Sequence, residues 1–316
     1  MAPQPNRPRR LRDLRSVPVL PSLITLGNLY FGFLAMAKVT DVVREQGMSV
    51  DVIRNPEVLG HFEIAAFFLF LAMVFDALDG RVARMTNQTT AFGGQLDSLA
   101  DVVTFGVAPA FCAKVLINLY EGNPDALLPP HPKVYYFCAA VYVLCAAMRL
   151  ARFNVEAAAG EGDDHLEFRG LPTPGAAAVV AAVLAFWCSR KETNNVVTGW
   201  LFPPEIFDHV VVALPGLLVL LGLAMVSKLP YPHAFGLLVS RRAGSFPLLA
   251  SLVLLIGLCT VEWQLGLLVC TLTYLLSGPV VGLYRLVRRG RVDPPDRDGE
   301  GVASSPSVDL TVPGRY

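Results

Sequence analysis

The stretch D-A-L-D-G-R-V-A-R-M-T-N-Q-T-T-A-F-G-G-Q-L-D-S-L-A-D, residues 76–101, lies between two apolar runs, and that setting decides the fold. Its acids come in two pairs. Asp76 and Asp79 are three residues apart and Asp97 and Asp101 four apart, so on helices each pair shares one face. Gly93, four residues before Asp97, extends the second stripe without adding a side chain. The run 59–79 leads into the first pair and the run 95–119 carries the second, which reads as two membrane spans joined by a cytoplasmic turn. Both pairs then lie near the inner interface, each only about 5–6 Å tall at the helical rise of about 1.5 Å per residue.

The rest of the chain agrees with a membrane setting. Charged residues make up 16% of it, hydrophobic residues 53%, and the mean hydropathy is +0.50, whereas a soluble domain carries about 25% charged residues. Further apolar runs at 18–40, 134–152, 173–189, 208–227, 246–262 and 265–286 predict an all-α helical bundle of about eight spans. Basic residues then orient it. Arg7 to Arg15, Arg81 and Arg84, Arg149 and Arg152, Arg241 and Arg242, and Arg285 to Arg291 fall on one side, against a thinner scatter such as Lys38, Arg54 and Lys133 on the other. This places both termini in the cytoplasm. The first run is long for a signal peptide and contains Gly27 and Asn28, so it reads as a retained span. Lys and Arg balance Asp and Glu at 26 each, so nothing marks nucleic acid as a partner. The six cysteines form no C-x2-C pair and read as small core residues. Residues 1–17 form a basic cytoplasmic arm, and 292–316, rich in Asp, Gly, Ser and Pro, a disordered cytoplasmic tail.

Any one of the four acids alone could be an ordinary interfacial residue at a helix end. Four at helical spacing beside glycines read as a site, since ionisable residues within a membrane are functional by default. Facing one another, they would cost about 1–4 kcal/mol per charge pair at effective dielectrics of 20–80, unless they take up protons or cations. An all-oxygen donor set without His or Cys favours Mg2+ or Mn2+ over zinc. Small residues at Gly80, Ala83, Gly93 and Gly94 leave room for a ligand against the backbone, and Arg84 between the acid pairs suits a phosphate.

Residues 76–101 follow D-x2-D-G-x2-A-R-x8-G-x3-D-x3-D throughout, and so resemble the CDP-alcohol phosphatidyltransferases. The resemblance implies a membrane enzyme that exchanges the CMP of a CDP-linked lipid for another alcohol, with a six-helix core, two divalent cations per site and commonly a homodimer. Further stretches look most like the serine-accepting integral-membrane members: P-S-L-I-T-L-G-N-L-Y-F-G-F (21–33), D-S-L-A-D-V-V-T-F-G-V-A-P-A (97–110), R-L-A-R-F-N-V (149–155), F-R-G-L-P-T-P-G-A-A (168–177) and M-V-S-K-L-P-Y-P (225–232). They delimit a catalytic membrane domain at 18–232, with additional helices at 233–291; the loop 41–58 carries no motif. By that resemblance the substrates are CDP-diacylglycerol and L-serine, and the site opens at the cytoplasmic face of the cytoplasmic membrane. Asp76, Asp79, Asp97 and Asp101 would hold Mg2+ or Mn2+, Asp101 would also serve as general base, and Gly80, Ala83, Arg84 and Gly93 would border the CDP moiety.

On the acceptor side, Arg149 and Arg152 share a face at the end of the fourth run, at the level of the acids. We expect one of them to bind the serine carboxylate or a lipid phosphate, with Asn154 shaping the pocket; the competing reading makes both arginines positive-inside anchors. An H-x-K at His131–Lys133 has Cys138 where a phospholipase-D-type motif needs an acid, so direct transfer is the simpler route. Three alternatives stay open: another acceptor such as glycerol 3-phosphate or inositol, a cation-coupled transporter, and a metal-dependent prenyltransferase.

Overall fold

A computed structural model describes residues 19–45, 56–86, 90–121, 131–158, 167–188, 202–203, 205–232, 257 and 262–289. In chain order these form α1 (Val19–Glu45), α2 (Pro56–Met85), α3 (Ala91–Asp101), a π-helical segment (Val102–Val107), α4 (Ala108–Glu121), α5 (Pro132–Ala158), β1 (Glu167–Arg169), α6 (Thr173–Cys188), α7 (Glu205–Val226), β2 (Pro230–Pro232) and α8 (Trp263–Arg289). Six stretches are long and apolar enough to cross a membrane: Val19–Val42, Glu57–Met85, Phe92–Glu121, Pro132–Glu156, Ile206–Val226 and Trp263–Arg285. They match six of the eight runs read from the sequence, and the protein is an all-helical integral membrane protein. The run at 173–189 becomes α6, whose 16 residues reach about 24 Å against a hydrocarbon core of about 30 Å. The run at 246–262 lies almost wholly outside the described residues, as do the arm 1–17, most of the loop 41–58 and the tail 292–316.

Helix α6 is the centre of the bundle. Its sequence is apolar all round, which suits a protein core and lipid alike. Residues Val179 to Cys188 are all buried, and α2 and α8 pack against it. Its alanines let those neighbours approach closely. The outer helices instead expose large apolar side chains, among them Leu23 and Phe33 on α1, Phe67 on α2 and Phe137 and Leu144 on α5. Such a surface is suited to lipid.

Pro109 and Pro279 each break a helical ladder, and a buried tyrosine repairs each of these two breaks. Pro109 has no N–H to offer the carbonyl of Phe105. The preceding turn widens, with the Ala108 N–H donating to Val103 O, five residues back. The Tyr142 hydroxyl, fully buried on α5, donates to the freed Phe105 carbonyl at 3.0 Å. In α8, Pro279 likewise frees the Leu275 carbonyl, which accepts from the Tyr231 hydroxyl at 3.2 Å. Burial pushes the Tyr231 hydroxyl above its ordinary pKa and keeps it a donor. Gly278 is what admits the Tyr231 ring, because a Cβ there would stand 2.3 Å from its Cζ.

A short antiparallel ladder pairs Phe168 with Tyr231 and ties the entry of α6 to the exit of α7. Beside it, the Gly170 N–H donates to Leu229 O at 2.8 Å and the Leu171 N–H to Ala224 O at 3.0 Å. Gly170 adopts φ +88, and a Cβ would meet Met225 O at 2.5 Å, so only glycine fits this turn.

Candidate active site

The turn between α2 and α3 sets the geometry of the acids. Thr90 caps α3, its hydroxyl oxygen accepting from the Gly93 N–H at 3.1 Å. That cap fixes the phase at which Asp97 and Asp101 leave the helix. One carboxylate oxygen each from Asp76, Asp97 and Asp101 lies within 4.8 Å of the others. Asp101 is buried, and Asp97 Oδ1 is shielded from solvent without a hydrogen-bond donor. A buried carboxylate oxygen without a donor carries a desolvation cost that a bound cation removes. Three convergent carboxylates with one orphaned oxygen fit a hard divalent cation. The fourth acid behaves differently: Asp79, buried one turn beyond Asp76, accepts at Oδ2 from the Thr25 hydroxyl at 2.8 Å.

Helix α1 supplies partners that sequence reasoning missed. Ser22, Thr25 and Asn28 are buried at a spacing of three, forming one polar stripe in an apolar span. Asn28 Nδ2 donates to Asp101 Oδ1 at 3.2 Å, while Asn28 Oδ1 and Ser22 Oγ are buried without partners. The Asn28 carbonyl accepts from the Thr104 hydroxyl in the π-helical segment at 3.3 Å. Gly32 permits that crossing, since its Cβ would lie 2.9 Å from the Thr104 Cα. The signal was present in the run 21–33 as polar residues every third position. Their targets lay more than fifty residues away in sequence.

The other expected residues surround the acids in distinct ways. Gly80 and Gly94 face open space, with nothing within 4 Å of the Cβ either would carry, while a Cβ on Gly93 would meet Thr90 Oγ1 at 3.3 Å. Ala83 is half-buried. Arg84 is exposed and folds back on its own helix, Nε donating to the Gly80 carbonyl at 3.0 Å. Arg149 reaches across to α6, where Nη1 donates to the Thr173 hydroxyl at 2.7 Å; its Nε is buried without an acceptor. Arg152 is engaged by Glu156 on the next turn at 2.8 Å. Asn154 pairs with Ser98, one residue after Asp97, and so pins α5 to α3.

Residues 18–211 match the model of the CDP-alcohol phosphatidyltransferase family. The chain belongs to that family. The CDP-alcohol phosphatidyltransferases use divalent cations, in keeping with the carboxylate cluster. Among curated relatives, a CDP-diacylglycerol–serine O-phosphatidyltransferase of Helicobacter pylori is 34% identical over 172 residues, covering 54% of this chain and 62% of that protein. A protein of the same name from Saccharomyces cerevisiae is 36% identical over 170 residues, 52% of this chain and 56% of its own length. An archaetidylserine synthase of Methanothermobacter thermautotrophicus is 32% identical over 173 residues, 54% and 60% respectively. The chain thus spans about three fifths of the length of the relatives it matches.

Proposed function

We propose that this family member transfers the phosphatidyl group of CDP-diacylglycerol to L-serine, giving phosphatidylserine and CMP. The observation that carries the reading is the convergence of one carboxylate oxygen each from Asp76, Asp97 and Asp101, with Asp97 Oδ1 buried and orphaned. Relatives named as serine phosphatidyltransferases support the choice of acceptor.

In this reading Asp76, Asp79, Asp97 and Asp101 hold two cations, Mg2+ or Mn2+. Cations bound there supply neutralisation of the pyrophosphate and stabilisation of the leaving CMP. The protein's own groups do the rest. Gly80, Ala83, Gly93 and Arg84 border the CDP moiety, the open space beside Gly80 leaving its backbone approachable. Asp101, oriented by Asn28, accepts the proton of the serine hydroxyl as its oxygen bonds to the phosphorus next to diacylglycerol and the bond to CMP breaks. Arg149, held by Thr173, receives the serine carboxylate, and Asn154 keeps α5 in register with the acid-bearing helix. Arg152, paired with Glu156, is the weaker candidate for that anion.

The remaining features belong to the same proposal: eight spans including α6 and the run at 246–262, both termini and the site at the cytoplasmic face, and a homodimer. The catalytic domain covers 18–232, the additional helices 233–291, with a basic arm at 1–17 and a tail at 292–316. The test is purified protein with CDP-diacylglycerol, Mn2+ or Mg2+ and, in separate reactions, serine, glycerol 3-phosphate or inositol, read by CMP release and product mass. Metal-dependent phosphatidylserine is the expected product. CMP release with glycerol 3-phosphate or inositol but not serine would overturn the acceptor, and no CMP release with any of them would overturn the transferase reading.

A further inference from the structure

Serine as acceptor is a zwitterion, and its two charges sit on one carbon. A site that holds its carboxylate must therefore offer the ammonium a hydrogen-bond acceptor only a few ångström away. Arg149 meets the first need, with Nη1 clamped by Thr173 at 2.7 Å and Nε left without an acceptor. The titratable groups close enough to Arg149 to interact with it electrostatically are Tyr274, Asp101, Arg152 and Glu156, of which Tyr274 is a neutral phenol. Arg152 is itself a cation, and Glu156 is taken by Arg152 at 2.8 Å. Asp101 belongs to the carboxylate cluster and already accepts from Asn28.

Tyr274 is what remains, and its placement suits the task. It projects from α8 onto the first turn of α6, where a Cβ on Gly175 would lie 3.0 Å from its Cε1. Gly175 is two residues beyond Thr173, so the ring packs on the same first turn of α6 that the arginine clamps, and Tyr274 and Arg149 are close enough to act on each other electrostatically. The Tyr231 ring, with its centroid at 5.9 Å, backs the Tyr274 ring from β2, and Tyr231 is itself fastened to α8 through Leu275. The ring is thus fixed in direction, half-buried rather than sealed.

We propose that the Tyr274 hydroxyl oxygen accepts a hydrogen bond from the acceptor's ammonium group, so that α8, which lies beyond the stretch matching the family model, completes the amino-acid pocket. This rests on the serine reading above.

The test compares wild type and Tyr274→Phe in the purified full chain, with the KM for serine and for CDP-diacylglycerol measured separately through CMP release. Phenylalanine keeps the ring that packs on Gly175 and Tyr231, so the fold is preserved. A second acceptor, 3-hydroxypropionate, carries the hydroxyl and carboxylate of serine without the ammonium. In Tyr274→Phe the serine KM rises about tenfold or more, the loss expected for one hydrogen bond to a charged group. The CDP-diacylglycerol KM stays within about twofold, and the preference for serine over 3-hydroxypropionate falls in proportion. An unchanged serine KM, or an equal loss with both acceptors, overturns the assignment. Wild-type protein that releases CMP with other alcohols but not with serine overturns the parent reading, and this one with it.

Discussion

Replacing Asn28 by leucine separates a role in orienting the carboxylates from a role in holding α1 in place. Asn28 is fully buried, and its Nδ2 donates to Asp101 Oδ1 at 3.2 Å. A hydrogen bond to a charged group is worth about 1.5–3 kcal/mol. The same side chain also buries Oδ1 without a donor, and an unmet acceptor costs about 1–3 kcal/mol. Leucine removes both at similar volume, so the two terms offset and the change in folding stability stays within about 1 kcal/mol. The main-chain carbonyl that accepts from Thr104 is untouched. Asp101, however, loses the donor that directs its Oδ1. A lost partner of a metal-binding carboxylate lowers metal affinity or activity about 10–100-fold. The assay is CMP release over a Mn2+ titration, beside thermal unfolding of the same detergent preparation. The expected result is a half-maximal Mn2+ concentration raised about 10–100-fold, with the melting temperature moved by no more than about 4 °C. An unchanged Mn2+ midpoint would refute the orienting role. A loss of activity matched by a fall of about 10 °C or more would assign Asn28 to the fold instead.

Gly80→Ala gives the opposite signature for the substrate side. Its Cβ would meet nothing within 4 Å, and alanine within a helix is favoured by about 0.5–1 kcal/mol, so the variant should melt no lower than wild type while its KM for CDP-diacylglycerol rises; an unchanged KM would show that the space is not used. Arg149→Ala should raise the serine KM at least about tenfold through loss of a charged hydrogen bond, whereas Arg152→Ala, removing a partly exposed pair with Glu156, should change it less than about threefold. Equal losses with the two substitutions would mean that the carboxylate bridges both arginines, and an unchanged KM in both would overturn the assignment.

The sequence displayed the ends of the acid-bearing spans because hydropathy and charge are local properties. Asp76, Asp97 and Asp101 could be brought together on paper from helical spacing and a single turn. The pairing of Asp79 with Thr25 could not, since nothing in residues 76–101 says which helix crosses above them. The two arginines were separable in principle: Glu156 stands four residues after Arg152, the spacing of a helical ion pair, and it leaves Arg149 as the cation with donors to spare. Pro109 and Pro279 announced broken ladders, but the tyrosines that close them come from α5 and β2. The run 173–189 read as one more span because hydropathy alone does not say what surrounds a helix. That it is enclosed on all sides follows only from its neighbours.

These repairs bear on how a charged site persists at the edge of a membrane. A carbonyl freed by proline in hydrocarbon must find a donor inside the protein, at a cost of several kcal/mol if it does not. The Pro109 break begins directly after Asp101, and the widened turn carries Thr104, which bonds the carbonyl of Asn28. Asn28 in turn holds Asp101. The Tyr142 hydroxyl therefore closes a loop of contacts whose far end is a carboxylate of the cluster. The same device in α8 fastens Tyr231 to Leu275, and the Tyr231 ring sets the attitude of Tyr274. Pro109 and Pro279 thus each free a carbonyl near a site residue, and each tyrosine supplies the donor that carbonyl would lack in lipid. Without the widened turn Thr104 would leave its helix at a different angle, so the irregularity after Asp101 is part of what brings Thr104 to the Asn28 carbonyl.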